Sequence, residues 1–150
     1  ASGVLTETPA ILAFIAQMAP EKKLAPLDDP FEFAVMQSFN AFISSTVHVA
    51  HAHGRRGSRW ANDDSSLADM KAKVPQTMGE CFELIEHGLL HGPWVLGTAY
   101  SVADPYLFVM SGWLESDGVD IARFPKVHDH FRRMNDRPAV QRALACERGQ

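Results

Sequence analysis

The run "HVAHAH" at residues 48–53 sets three imidazoles, His48, His51 and His53, within two helical turns. Histidine gives or takes a proton near neutral pH, so such a run is the first place to look for acid–base chemistry. His48 and His51 stand three apart, and on a helix their rings share a face and can reach one ion. No cysteine or carboxylate at ligand spacing completes a set of four, so no metal is expected. Arg55, Arg56 and Arg59 follow in "GRRGSR". Guanidinium forks suit an anionic substrate, but a short basic cluster in a polar loop reads first as solvated. Glu7 and Thr8 precede a helical pattern. From the residues alone they read as a plain helix cap. Cys81 lies inside a helical pattern and Cys146 near the C-terminus. Neither has a histidine beside it, and both read as structural. Nothing resembles a catalytic triad, a phosphate loop or a carboxylate pair.

The elements that must position these groups are helical throughout. Ile11, Leu12, Ile15 and Ala16 predict a helix that stops near Pro20. The stretch "PEKKLAPLDDP" at 20–30 reads as a connector. Val35, Phe39, Phe42, Ile43, Thr46, Val47 and Ala50 fall on one face of a long helix over about 30–53. Gln37, Ala41, Ser44, His48 and His51 form a small, polar stripe opposite. Residues 54–66 read as a loop, with Ser65 or Ser66 capping the next helix. Leu67, Met70, Val74, Met78, Phe82, Ile85 and Leu89 give that helix its core face, Pro75 should bend or interrupt it, and Gly92-Pro93 should end it.

The stretch "GTAYSVADPYLF" at 97–108 carries a capping box. Ser101 can accept the N–H of Asp104, and the Asp104 carboxylate can reach back to the N–H of Ser101. Loss of such a cap costs about 0.5–2 kcal/mol. Pro105 is then an oddity at the fourth position, where the hydrogen-bond ladder begins. The helix behind it carries Leu107, Phe108, Met110 and Trp113 and is apolar nearly all round at its start, which predicts a central, buried position. Two short helices follow, one with Val127, Phe131 and Met134 on a face, the other opened by Pro138. No strand is expected beyond residue 6, where Val4 and Leu5 can end one. The fold class is all-α.

The chain has 150 residues, enough for one sizeable core, and 46% of them are hydrophobic, which excludes a disordered chain. A net charge of −4 gives no reason to expect nucleic acid or an anionic membrane as partner. No apolar run approaches the ~20 residues of a spanning helix. No secretory signal is seen, and two cysteines make no disulfide framework. A reducing, cytoplasmic compartment is expected.

Taken in order, "VLTETPAILAFIA", the proline-rich connector, "FNAFISSTVHVAHAH", "GPWVLGTAYSVADPYLFVMSGW" and "FRRMNDRPAVQRAL" resemble a bacterial glutathione transferase, most like the beta class. The likeness spans almost the whole chain. It implies a helical bundle like that family's C-terminal domain, over 31–146, with a short tail at 147–150. Residues 1–19 would be the last strand and helix of a thioredoxin-like domain, and 20–30 the linker. Most of the glutathione site and the residue acting on the thiol would then lie in the rest of that first domain.

The resemblance implies conjugation of the glutathione thiolate to a hydrophobic electrophile, with glutathione as co-substrate and a homodimer as the assembly. It casts Glu7 and Thr8 as ligands of the γ-glutamyl end of glutathione. His48 would be an auxiliary group near the reactive centre and Trp113 a wall of the electrophile cleft, while Ser101 and Asp104 would serve structure rather than chemistry. The alternative is a non-catalytic interaction module built on the same helical fold.

Overall fold

Asp29 and Pro30 show how local chemistry starts the first long helix. In the computed structural model, which describes residues 3–149, the Asp29 carboxylate accepts the N–H groups of Phe31 and Glu32, both at 3.0 Å. Pro30 opens the helix where its missing N–H costs nothing. The helix order is α1 (Thr8–Met18), α2 (Pro30–Phe42), α3 (His48–Arg56), α4 (Asp64–Leu84), α5 (Ala103–Ser111), α6 (Pro125–Asn135) and α7 (Pro138–Glu147). A π turn, Ile43–Val47, joins α2 to α3 without a break, and a second, Ile85–Leu89, continues α4.

Met36, Phe39, Ile43 and Val47 meet Val74, Met78, Phe82 and Ile85 from α4 and its extension in one core. Leu107, Met110 and Leu114 from α5 and the turn after it complete that core, with Phe124 and Val127. α5 is central, as its composition predicts: Ala103, Asp104, Tyr106, Leu107, Phe108, Met110 and Ser111 are all buried.

Several expectations need correction. The strand end at Val4 and Leu5 is not found. Residues 3–6 form no strand, because a strand needs a partner and the described residues offer only two isolated bridges, Trp94–Gly97 and Leu96–Ala99. Residues 1, 2 and 150, which the expected remnant and tail include, lie outside the described residues. Pro75 does not interrupt α4. Neighbouring turns carry the helix past it, and Pro75 itself is exposed. Asp63, not Ser65 or Ser66, caps α4, its carboxylate accepting the Ser66 N–H at 3.0 Å.

The capping box is half as expected. Asp104 accepts the N–H of Ser101 at 2.7 Å. The Ser101 hydroxyl oxygen, however, accepts from Ala103 at 3.2 Å, while the Asp104 N–H goes to the Ser101 carbonyl. The reason is that α5 starts one residue later than the box requires, with Val102 at its N-cap. This start also removes the Pro105 oddity: Pro105 stands in the first turn, where no N–H has a helical acceptor.

Asp104 does more than cap. Its second oxygen accepts the N–H of Val95 at 2.8 Å and the Nε2–H of His130 at 3.1 Å. Asp104 is 0% exposed and His130 1%. One carboxylate therefore ties α5, the 92–100 loop and α6 together. The loop can reach it because Gly92 and Gly97 pack backbone to backbone: a Cβ on Gly92 would sit 2.7 Å from the Gly97 carbonyl oxygen. A second buried carboxylate, Glu86, accepts the N–H groups of Lys126 and Val127 at 3.0 Å and so fixes the start of α6.

Asp104→Ala strips a buried network of its acceptor, so it should cost about 3–5 kcal/mol, the range for breaking a buried pair, rather than the ~1 of a lost cap. Urea denaturation measures this. A loss under ~1 kcal/mol would show that the hub carries no such weight.

Candidate functional site

The π turn decides how the histidines are presented. At Ile43–Val47 the helical ladder slips by one residue, and the His48 N–H bonds to the Ile43 carbonyl. The hydroxyls of Ser44 and Ser45 both donate to the Ala41 carbonyl at the slip, at 3.0 and 2.8 Å. The extra residue rotates the face that follows. Thr46, expected inside, is exposed, while His48 and His51 are half-buried. Single π turns of this kind recur at functional sites.

His48 and Trp113, separate in the sequence, are brought together. Their rings meet edge to face, with centroids 5.3 Å apart. His51 stacks on the same indole at 4.2 Å and 25°. Its Nδ1–H donates to the Asp117 carboxylate at 2.8 and 2.9 Å. Sequence reasoning missed Asp117, whose partner lies 66 residues away and leaves no local signal.

Neither ring nitrogen of His48 has a protein partner among the described hydrogen bonds, and neither is shut away from solvent. Burial holds its pKa below the ordinary histidine value, and the charges of Arg56, His51 and Arg59 lower it further. At neutral pH the ring is therefore uncharged, and it can both accept and donate a hydrogen bond. This gives Arg56, at the end of α3, and Arg59, in the turn after it, an electrostatic part that a solvated reading leaves out.

Glu7 and Thr8 stand at the start of α1. Glu7 holds φ at 68° and ψ at 118°, a strained backbone for a residue with a side chain. Neither residue acts as a plain side-chain cap: the N-cap is Glu7, and its side chain makes no capping bond. Burial raises the pKa of the Tyr106 hydroxyl; Thr8 nearby acts to lower it and the Glu7 charge to raise it. Tyr106 and Trp113 lie seven residues apart, about 10 Å of helix rise along α5 and the turn after it. One helix and the turn after it thus border both candidate groups.

Other candidates fall away. Cys81 is buried, and burial with the nearby Glu80 charge raises its thiol pKa, the opposite of an activated nucleophile. Cys146 is exposed and unpaired. Among the described residues no three of His, Cys, Asp and Glu gather as metal ligands would. No described helix is long and apolar enough to cross a membrane.

The depressed His48 pKa has a sign that can be checked. The unfolded chain takes the proton first, so this histidine's contribution to stability is whole above the ordinary histidine value and declines as pH falls toward the lower, folded-state value. In an NMR titration, His48 should inflect below the ordinary value, and Arg56→Gln should move it upward. An inflection at or above the ordinary value would contradict the electrostatics described.

With this geometry in view, comparison with known proteins is informative. No family model matches the chain. A solved glutathione transferase homologue from Sulfitobacter, with bound glutathione, is 47% identical; the match covers 98% of this chain and 77% of that one, with a TM-score of 0.91. The bacterial beta class glutathione S-transferase of Sphingomonas chungbukensis is 32% identical over 95% of this chain and 68% of its own, with a TM-score of 0.82. Glutathione S-transferase GstA of Escherichia coli O157:H7 is 23% identical over 145 residues, which is 96% of this chain and 68% of the relative. The chain therefore spans between 68% and 77% of these proteins. By its identity to these solved structures, and by a fold that follows theirs, the chain belongs to the glutathione transferase family.

Proposed function

We propose that residues 31–146 form the electrophile-binding helical domain of a beta-class-like glutathione transferase, joined through the linker at 20–30 to the end of a glutathione-binding domain at 1–19. The observation that carries this is the His48–Trp113 contact, an uncharged, unpartnered imidazole set against an aromatic wall. The reaction is the attack of the glutathione thiolate on an electrophilic carbon of an apolar substrate, with departure of a leaving group. Trp113 holds the apolar part by its flat face, which excludes water and aligns the reacting atoms. His48 hydrogen-bonds the sulfur or the developing charge on the substrate.

At the other end, Thr8 and the free N–H groups of α1 bind the γ-glutamyl carboxylate, and Glu7 binds the ammonium. The strained φ of Glu7 fits a clamp shaped for a ligand. The relatives extend beyond the matched span, and the group that ionises the thiol belongs, on this reading, to that further length. The working assembly is a cytoplasmic homodimer, for which sedimentation of the full-length protein is the check.

In the full-length protein, His48→Ala should lower kcat/KM for conjugation of a chlorodinitrobenzene about tenfold or more, the worth of one hydrogen bond to a charged group, with the melting temperature unchanged. Unaltered kinetics would remove His48 from the site. Thr8→Ala should raise the KM for glutathione about tenfold and leave the KM for the aromatic substrate alone. Full-length protein that neither binds immobilised glutathione nor conjugates would favour the interaction-module reading.

A further inference from the structure

We propose that Asp117 and His51 are positioning residues that fix the indole of Trp113 for an aromatic electrophile, an inference that rests on the reading of Trp113 as the cleft wall. The carboxylate accepts only, so the proton of His51 is set on Nδ1, and the ring can turn only by breaking its hydrogen bond to Asp117. The Asp117 side chain is buried and that of His51 largely so, at 5% and 12% exposed. Asp117 is itself tied to the turn that begins at Trp113, since its N–H donates to the Trp113 and Leu114 carbonyls at 3.0 Å. Gly118, at φ 75°, lets the chain leave that turn.

The result is a closed circuit. The backbone links Trp113 to Asp117, the carboxylate links Asp117 to His51, and stacking links His51 back to Trp113. One face of the indole is covered by a ring whose rotation the Asp117 hydrogen bond resists. His48, one turn earlier on α3, meets the same indole edge to face. A buried ion pair or charged hydrogen bond is a weak source of net stability, because desolvation offsets it; what it gives here is orientation. An apolar pair at these positions would pack as well but would leave the indole free to tilt.

The test uses the full-length protein and two readouts. One is Trp113 emission, taken as the difference between each protein and its Trp113→Phe counterpart, since Trp60 and Trp94 also emit. The other is the KM and kcat for conjugation of a chlorodinitrobenzene. Asp117→Ala and His51→Ala should each shift the Trp113 emission and raise the KM for the aromatic substrate about fivefold, with kcat within about twofold and the KM for glutathione unchanged, the pattern of lost uniform binding. Asp117→Asn, whose amide oxygen still accepts from Nδ1, should restore both readouts. Emission and aromatic KM unchanged in Asp117→Ala would overturn the proposal. So would a shifted emission with an unchanged aromatic KM, or equal losses for both substrates together with a lowered melting temperature in all three variants. Absence of conjugation by the unsubstituted protein would instead sink the transferase reading, and the emission, which needs no turnover, would still decide whether the pair orients Trp113.

Discussion

A single carboxylate, that of Asp104, is the constraint on which the rest of the structure depends. It is fully buried, and water cannot solvate it. A buried charge is tolerated only when its oxygens are met by donors. Those donors come from three parts of the chain: Ser101 before α5, Val95 in the preceding loop and His130 on α6. All three meet on one side chain, so the carboxylate ties their positions together. Glu86 does the same, more locally, where α4 passes the start of α6.

Fixing α5 fixes the site, because both candidate groups border it. Tyr106 is near enough to the start of α1 to feel the Glu7 charge, and Trp113 stands beyond the last turn of α5 against His48 and His51. The histidines that meet Trp113 follow directly on the π turn at Ile43–Val47. On the proposed reading, one rigid element thus sets the distance between the end of glutathione and the wall for its partner. The chemistry asked of this region is modest: an uncharged imidazole, an apolar surface and exclusion of water. Those demands suit a helical bundle, in which positions are held by packing rather than by loops.

Much of this was legible in the sequence because it is periodic or local. The helical spacing of Val74, Met78, Phe82 and Ile85 and the composition of α5 both predict the burial observed. The Ser101–Asp104 pair is a three-residue signal, and half of it is present as read. What was not legible lies far apart in the chain. Asp117, His130 and Glu86 act on partners 66, 26 and 40 residues away, and nothing in their neighbours marks them. The π turn was missed because a one-residue slip leaves hydrophobic spacing nearly intact; its only trace is the pair Ser44-Ser45 bonding back to Ala41. The strand end was over-read, since Val4 and Leu5 have strand-like side chains but no described partner for their backbone. His48 and Trp113 were named through resemblance, and their contact is a fact of the fold alone.

The most direct test is a crystal structure of the full-length protein with the glutathione conjugate of an aromatic electrophile. The γ-glutamyl end should lie at Glu7 and Thr8, the aryl group against Trp113, and the sulfur between them within hydrogen-bonding reach of His48. An aryl group seated away from Trp113, or a sulfur that His48 does not face, would contradict the proposed role of the helical bundle.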